Sequence, residues 1–312
     1  MDKIGRDNMK KYLGEIGLFL IAIIWGSGFV GTKLALNGGM TPMQTLTIRY
    51  LIGSLILGIV FFKKIKESLT KEAILAGVIL GIFSFIGFSM QTIGIVYTTA
   101  SKNAFITAVN VVIVPFIGFV LYKRKLDKIG VASSMLALVG IAVLSLEPNL
   151  SINFGDFLTF ICAFGFAFHI FFTGEYSAKY SPYVLTVIQF ITAFIMSLTL
   201  QIIIGEGSIE ATSEGYLGVL YLAIFSTAIG FLLQTKCQSM VDQTKAAIIL
   251  STESVFGAIL SILILGEVLT FRMVIGCIII FASIIISETK LSFLKKKVVS
   301  LEVSETIDSE ME

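Results

Sequence analysis

The chain has 312 residues, of which 56% are hydrophobic and 14% charged, and its mean hydropathy is +0.94. A soluble domain carries about 25% charged residues, so a water-soluble fold is excluded and a polytopic α-helical membrane protein is expected. The net charge of +2 says little about partners, and the lone cysteines Cys162, Cys237 and Cys277 support neither a disulfide framework nor a zinc site.

A bilayer crossing takes about 20 consecutive apolar residues, and ten segments read as crossings: 15–35, 43–62, 72–97, 103–121, 128–146, 154–173, 183–204, 214–235, 244–265 and 271–288. With residues 1–14 on the cytoplasmic side, that side receives Lys10 and Lys11, Lys63, Lys64 and Lys66, Lys123 to Lys125 around Arg124, Lys236 and Lys295 to Lys297. The opposite side keeps Glu147, Asp156, Glu206 and Glu210. This Lys/Arg bias places both termini in the cytoplasm. A multi-pass protein of the cell membrane is expected, surrounded by lipid, with no nucleic-acid partner.

The first segment is too long for a signal-peptide core and lacks a small-residue cleavage pattern. It carries Trp25 within "WGSGF", and Lys33 near its outer end. In the second, Arg49 lies about a third of the way in from outside. Arg there clamps a carboxylate through two parallel hydrogen bonds, or else snorkels toward headgroups or a loop acid. The third holds "GVILG", a small-residue packing face, and Gln91, assigned to its cytoplasmic part. The fourth begins at the interfacial Lys102, carries Asn110 midway and is expected to bend at Pro115. Glu147-Pro148-Asn149 marks the turn after the fifth.

The sixth segment contains the only histidine, His169, toward its inner end, as a cavity-lining or packing residue. The eighth carries Gln234 near its inner end. In the ninth, Glu253 stands mid-span with Gly257 one turn on, where a neighbouring helix can approach closely. An ionised group at a helix centre costs about 2.5–3.5 kcal/mol on insertion scales, so Glu253 is expected to face the bundle interior or a wet cavity. Residues 289–312 form a cytoplasmic tail, whose polar, acidic end from about Ser300 to Glu312 is read as disordered with no assigned task.

The chain also resembles itself. Gly87-Phe88 with Gln91-Thr92 matches Gly230-Phe231 with Gln234-Thr235, and the same offset pairs Lys102 with Lys245, Asn110 with Glu253 and Leu126 with Leu269. Five segments are an odd number, so a duplicated second half is inverted relative to the first. Inverted repeats mark secondary transporters, whose solute sites lie between the halves. Strict inversion puts Gln91 and Gln234 at opposite ends, in conflict with the inner assignment of Gln91.

The stretches "IIWGSGFVGTKLAL", "TPMQTLTIRYLIGSLIL", "YTTASKNAFITAVNVVIVPFIGFVL" and "AAIILSTESVFGAILSILILGEVLTFRMVIGCIIIFASIII" resemble the EamA type of the drug/metabolite transporter superfamily, across about Glu15 to Ser287. The resemblance implies ten helices in two inverted repeats, 15–146 and 154–288, around a central cavity, as a monomer or homodimer. It also implies export of small metabolites such as amino acids. The first repeat ends in "YKRKLDK" where the family often has the "GE" seen at Gly266-Glu267.

The resulting expectation is a secondary transporter working by alternating access. Its substrate contacts are Glu253, Asn110, Arg49, Trp25, Gln91, Gln234 and His169, and proton coupling through Glu253 is a narrower expectation. An integral-membrane enzyme on lipid-linked substrates would need clustered acids, histidines or a metal set. One histidine with scattered acids offers no catalytic residue, metal ligand or cofactor site. A passive pore is the other alternative, and saturable exchange separates it from a carrier.

Overall fold

A computed structural model describes residues 3–123, 128–145, 152–241, 246 and 249–289. The turn at Glu147-Pro148-Asn149, Lys245 and the tail lie outside the described residues. Among the described residues the fold is all-helical with no strand. In chain order the helices are α1 (Lys3–Asn37), α2 (Pro42–Val60), α3 (Phe62–Ser68), α4 (Lys71–Tyr97), α5 (Ala100–Thr107), α6 (Asn110–Tyr122) and α7 (Lys128–Ser145). They continue with α8 (Phe154–Ser177), α9 (Pro182–Ile203), α10 (Ser213–Tyr221), a π-helical stretch (Leu222–Ile229), α11 (Gly230–Gln238), α12 (Glu253–Leu265) and α13 (Phe271–Thr289).

Local chemistry sets the starts. Thr41 and Gln44 form a capping box at α2 with Pro42 in the first turn. Thr70, Thr99, Asn153 and Thr212 cap α4, α5, α8 and α10 by accepting a backbone N–H. At the other end, Gly266 closes α12 in the left-handed region with φ 67°. Lys123 closes α6 the same way with φ 52°, at the repeat-related position.

Seven helical stretches are long and apolar enough to cross a bilayer, and the apolar helices Val131–Val143, Ile249–Leu265 and Phe271–Ile286 are shorter. Ten crossings are expected from the sequence, and seven of full length are found among the described residues.

The packing has an internal symmetry. Helix α4 packs on α8 and α9, α1 packs on the α10–α11 unit and on α12, and the α10–α11 unit also packs on α2. Helices α5 and α6 pack on α8, α2 packs on α9, and α7 packs on α13. Exchanging α1 with α8, α2 with α9, α4 with α10–α11, α5–α6 with α12 and α7 with α13 converts every one of these pairs into another in the set. Small residues permit the closest approaches. A Cβ at Gly77 would lie 2.6 Å from Ile188 Cβ, and one at Gly81 2.5 Å from Thr192 Cβ. The "GVILG" face is therefore the seam between α4 and α9.

Candidate solute-binding cavity

The helices enclose a cavity at the centre of the bundle, and all seven residues singled out in the sequence line it: Trp25, Arg49, Gln91, Asn110, His169, Gln234 and Glu253. Its apolar wall is largely aromatic, from Phe29, Phe88, Phe166 and Phe231. Phe88 stacks edge-on against Phe166 at 4.7 Å, and Trp25 tilts over Phe231 at 5.2 Å.

Two helix interruptions bring the central polar residues into place. The span Ala100–Tyr122 breaks at Ala108 and Val109, where Val109 N donates to Ile106 O and Val112 N to Val109 O at 3.2 and 2.9 Å. The matching bonds recur in the second half, from Thr252 N to Ile249 O at 3.2 Å and from Val255 N to Thr252 O at 3.1 Å. These i→i−3 bonds tighten the backbone locally. Asn110 and Glu253 thereby become the first residues of α6 and α12. An acid at a helix N-terminus sits at the favourable end of the macrodipole. Discontinuous helices of this kind build the solute sites of many transporters. Pro115 lies inside α6, and the break in the span lies upstream of it, at Ala108 and Val109.

Glu253 is 7% exposed, and no hydrogen bond or ion pair ties its carboxylate to another described residue. Its backbone is held from the other side by α1. A Cβ at Gly26 would lie 2.9 Å from the Glu253 carbonyl and 2.6 Å from Phe256 Cβ, so only glycine allows this contact. One turn along, a Cβ at Gly257 would meet Ala104 Cβ at 2.9 Å. Asn110 Oδ1 is buried and also lacks a hydrogen-bond partner.

Arg49 neither snorkels nor reaches a loop acid. It is 1% exposed, its Nε donates to Thr227 Oγ1 at 2.8 Å and its Nη2 to Ser226 Oγ at 3.3 Å. Its guanidinium lies 4.2 Å from the centre of the Phe88 ring, a cation–π contact. Among the described residues no carboxylate lies within ion-pairing distance of it. Trp25 Nε1 donates to the Ser226 carbonyl at 3.0 Å, and Ser27 bonds the Tyr221 hydroxyl. These contacts converge on the π-helical stretch, a distortion often found at functional sites.

His169 Nε2 pairs with Gln189 Oε1 at 2.8 Å and lies against Phe231. Gln91 donates to Thr107 Oγ1 at 3.2 Å. Its assignment to the cytoplasmic part of its segment is corrected. Helix α4 starts at Lys71, beside the lysine-rich end, and Gln91 lies in its last two turns, next to Tyr97. Gln234 lies in the last two turns of α11, next to the lysine-rich end. The two glutamines therefore enter the cavity from opposite ends, as the symmetry requires.

A second polar cluster closes the end of the bundle near Tyr97. Lys33 Nζ donates to the Ile95 and Thr98 carbonyls at 2.6 and 3.1 Å. Lys102 is paired with the buried Asp156 at 3.3 Å rather than anchored among headgroups. Glu267 accepts from Ala100 N, Ser101 N and Ser101 Oγ at 2.7, 3.1 and 2.6 Å, capping α5 from the loop that follows α12. The contributions of Ser226, Thr227 and Glu267 were not expected from sequence. The only available signal was "FST" as a polar break in an apolar run.

A bundle of membrane-length helices around a buried polar cavity is the architecture of a membrane transporter. Comparison with known proteins supplies the family: the EamA-like transporter family model matches residues 12–146 and again 153–289, and the chain belongs to that family. A protein of Archaeoglobus fulgidus named as an uncharacterized transporter is 34% identical, over 90% of this chain and 88% of that one. One of Clostridium kluyveri, named likewise, is 29% identical over 92% and 97%. A crystal structure with 15% sequence identity superposes with a TM-score of 0.67, covering 91% of this chain and 99% of the other, and shares the fold.

Proposed function

We propose that the protein is a secondary transporter of small zwitterionic metabolites, amino acids or related compounds, working by alternating access between two inverted halves, 15–146 and 154–288. The observation that carries this reading is that one cavity is lined by a buried guanidinium, Arg49, and a buried carboxylate, Glu253, neither ion-paired to a described residue. Arg49 receives the solute carboxylate and Glu253 its ammonium, while Trp25, Phe88 and Phe231 cover its apolar part. Burial of single charges is unfavourable in a membrane, and a zwitterion neutralises both at once.

The repeat-exchanged packing and the paired helix interruptions support two inverted five-segment halves, with the three shorter helices completing ten crossings. The Lys/Arg bias supports a cell-membrane location with both termini cytoplasmic, and the family resemblance supports export. Uptake and efflux in proteoliposomes across an amino-acid panel test the reading, with and without a proton gradient. Saturable movement of at least one member is expected, and movement of none overturns it. Glu253→Gln tests coupling: unchanged transport with unchanged pH dependence removes Glu253 from that role.

A further inference from the structure

The polar face of α11 continues past the solute cavity toward the lysine-rich end. Gln234 lies on the cavity wall, and Gln238 lies one helical turn further toward the lysine-rich end. They are 0% and 5% exposed, and all four side-chain amide atoms, Nε2 and Oε1 of each, lack a hydrogen-bond partner among the described residues. Their neighbours on the same helix are engaged. Thr235 bonds the Thr186 hydroxyl on α9. On the face toward α1, a Cβ at Gly17 would meet Cys237 Sγ at 2.4 Å.

Glutamines that glue membrane helices together do so by bonding across the interface, and these two bond nothing. A buried amide with neither donor nor acceptor satisfied is unfavourable in any fold, and more so where water is excluded. Two of them in register, leading from the cavity toward one end of the bundle, therefore belong to a surface that is wet in another conformation. We infer that the Gln234–Gln238 face of α11 lines the passage between the cavity and the lysine-rich end, and that this structure shows that passage closed. When it opens, the amides meet water and the polar groups of a passing solute, offering donors and acceptors without a charge that would trap it. The inference rests on the alternating-access reading, since it needs a second conformation.

Cysteine accessibility in the full-length protein, with Cys162, Cys237 and Cys277 replaced by serine, tests it. A membrane-impermeant methanethiosulfonate is added from each side in turn, and exposed Lys64→Cys reports the lysine-rich face. Gln234→Cys and Gln238→Cys are expected to react from that face about tenfold faster than Leu232→Cys, because an open state populated at even a few per cent exposes the first two and not the third. Leu232 is similarly buried, at 8% exposure. Reaction no faster than at Leu232→Cys, or only from the opposite face, overturns the inference.

Gln238→Leu supplies a readout independent of labelling. A passage residue predicts a raised melting temperature with slowed solute exchange, because an unpaired buried amide is removed. A lowered melting temperature with unchanged exchange assigns Gln238 to packing and overturns the inference. The two readings fail separately: transport with silent cysteines removes only the passage, whereas reactive cysteines without transport of any solute remove the carrier.

Discussion

Arg49 and Thr227 join the two halves of the chain through a buried hydrogen bond of 2.8 Å from the guanidinium Nε to the threonine hydroxyl. That bond and the one from Nη2 to Ser226 Oγ hold the guanidinium over Phe88 and leave its other N–H groups for a ligand. Thr227→Val keeps the shape and removes the acceptor, which leaves a charged donor unpaired at a cost of about 1–3 kcal/mol. A lowered melting temperature in detergent is expected. Arg49→Lys keeps the charge but loses the planar stacking and fork geometry, and is expected to weaken solute binding as well.

Lys123 and Gly266 hold the same left-handed cap in the two halves, with φ of 52° and 67°. A non-glycine residue there costs about 1–2 kcal/mol. Lys123→Gly is expected to stabilise the protein by about 1 kcal/mol, and Gly266→Lys to destabilise it by a similar amount. Thermal unfolding of the two variants checks the opposite signs.

Glu267 caps α5 from α12's end, satisfying the Ala100 and Ser101 amides. Its removal resembles the loss of an N-cap, worth about 0.5–2 kcal/mol. Glu267→Ala is expected to lower stability within that range and to speed hydrogen exchange at residues 100–103 specifically.

Gly26 allows α1 to touch the backbone at Glu253. A methyl group there meets Phe256 Cβ at 2.6 Å, a contact relieved only by moving a helix. Gly26→Ala is expected to cost about 1–3 kcal/mol as overpacking and to lower transport, while Gly58→Ala, inside α2 with no atom near its added Cβ, leaves transport unchanged and does not lower stability.

Much of the cavity was legible in the sequence because a polar residue in an apolar span stands out. Glu253, Asn110, Arg49, Gln91, Gln234 and His169 were conspicuous for that reason, and the repeat offset paired Asn110 with Glu253. Partners were not legible. Nothing local links Arg49 to Ser226 and Thr227, or Lys102 to Asp156, because those contacts depend on how helices remote in sequence are packed. The interruptions at Val109 and Thr252 were hidden because neither site carries glycine or proline, whereas Pro115, which does signal a bend, lies inside a continuous helix. The depth assigned to Gln91 conflicted with the inversion, and the direction of α4, from Lys71 to Tyr97, removes the conflict. The fifth and tenth segments, read as 128–146 and 271–288, match α7 and α13 to within a residue.

The central claim is that Arg49 and Glu253 bracket one zwitterion, and it is tested most directly by counterflow in proteoliposomes. An amino acid that the wild type carries is compared with its carboxamide and its N-acetyl derivative, in wild type, Arg49→Gln and Glu253→Gln. The account predicts that the wild type carries the zwitterion and discriminates against both derivatives, that Arg49→Gln loses discrimination against the carboxamide, and that Glu253→Gln loses discrimination against the N-acetyl form. Equal discrimination in all three proteins would contradict it.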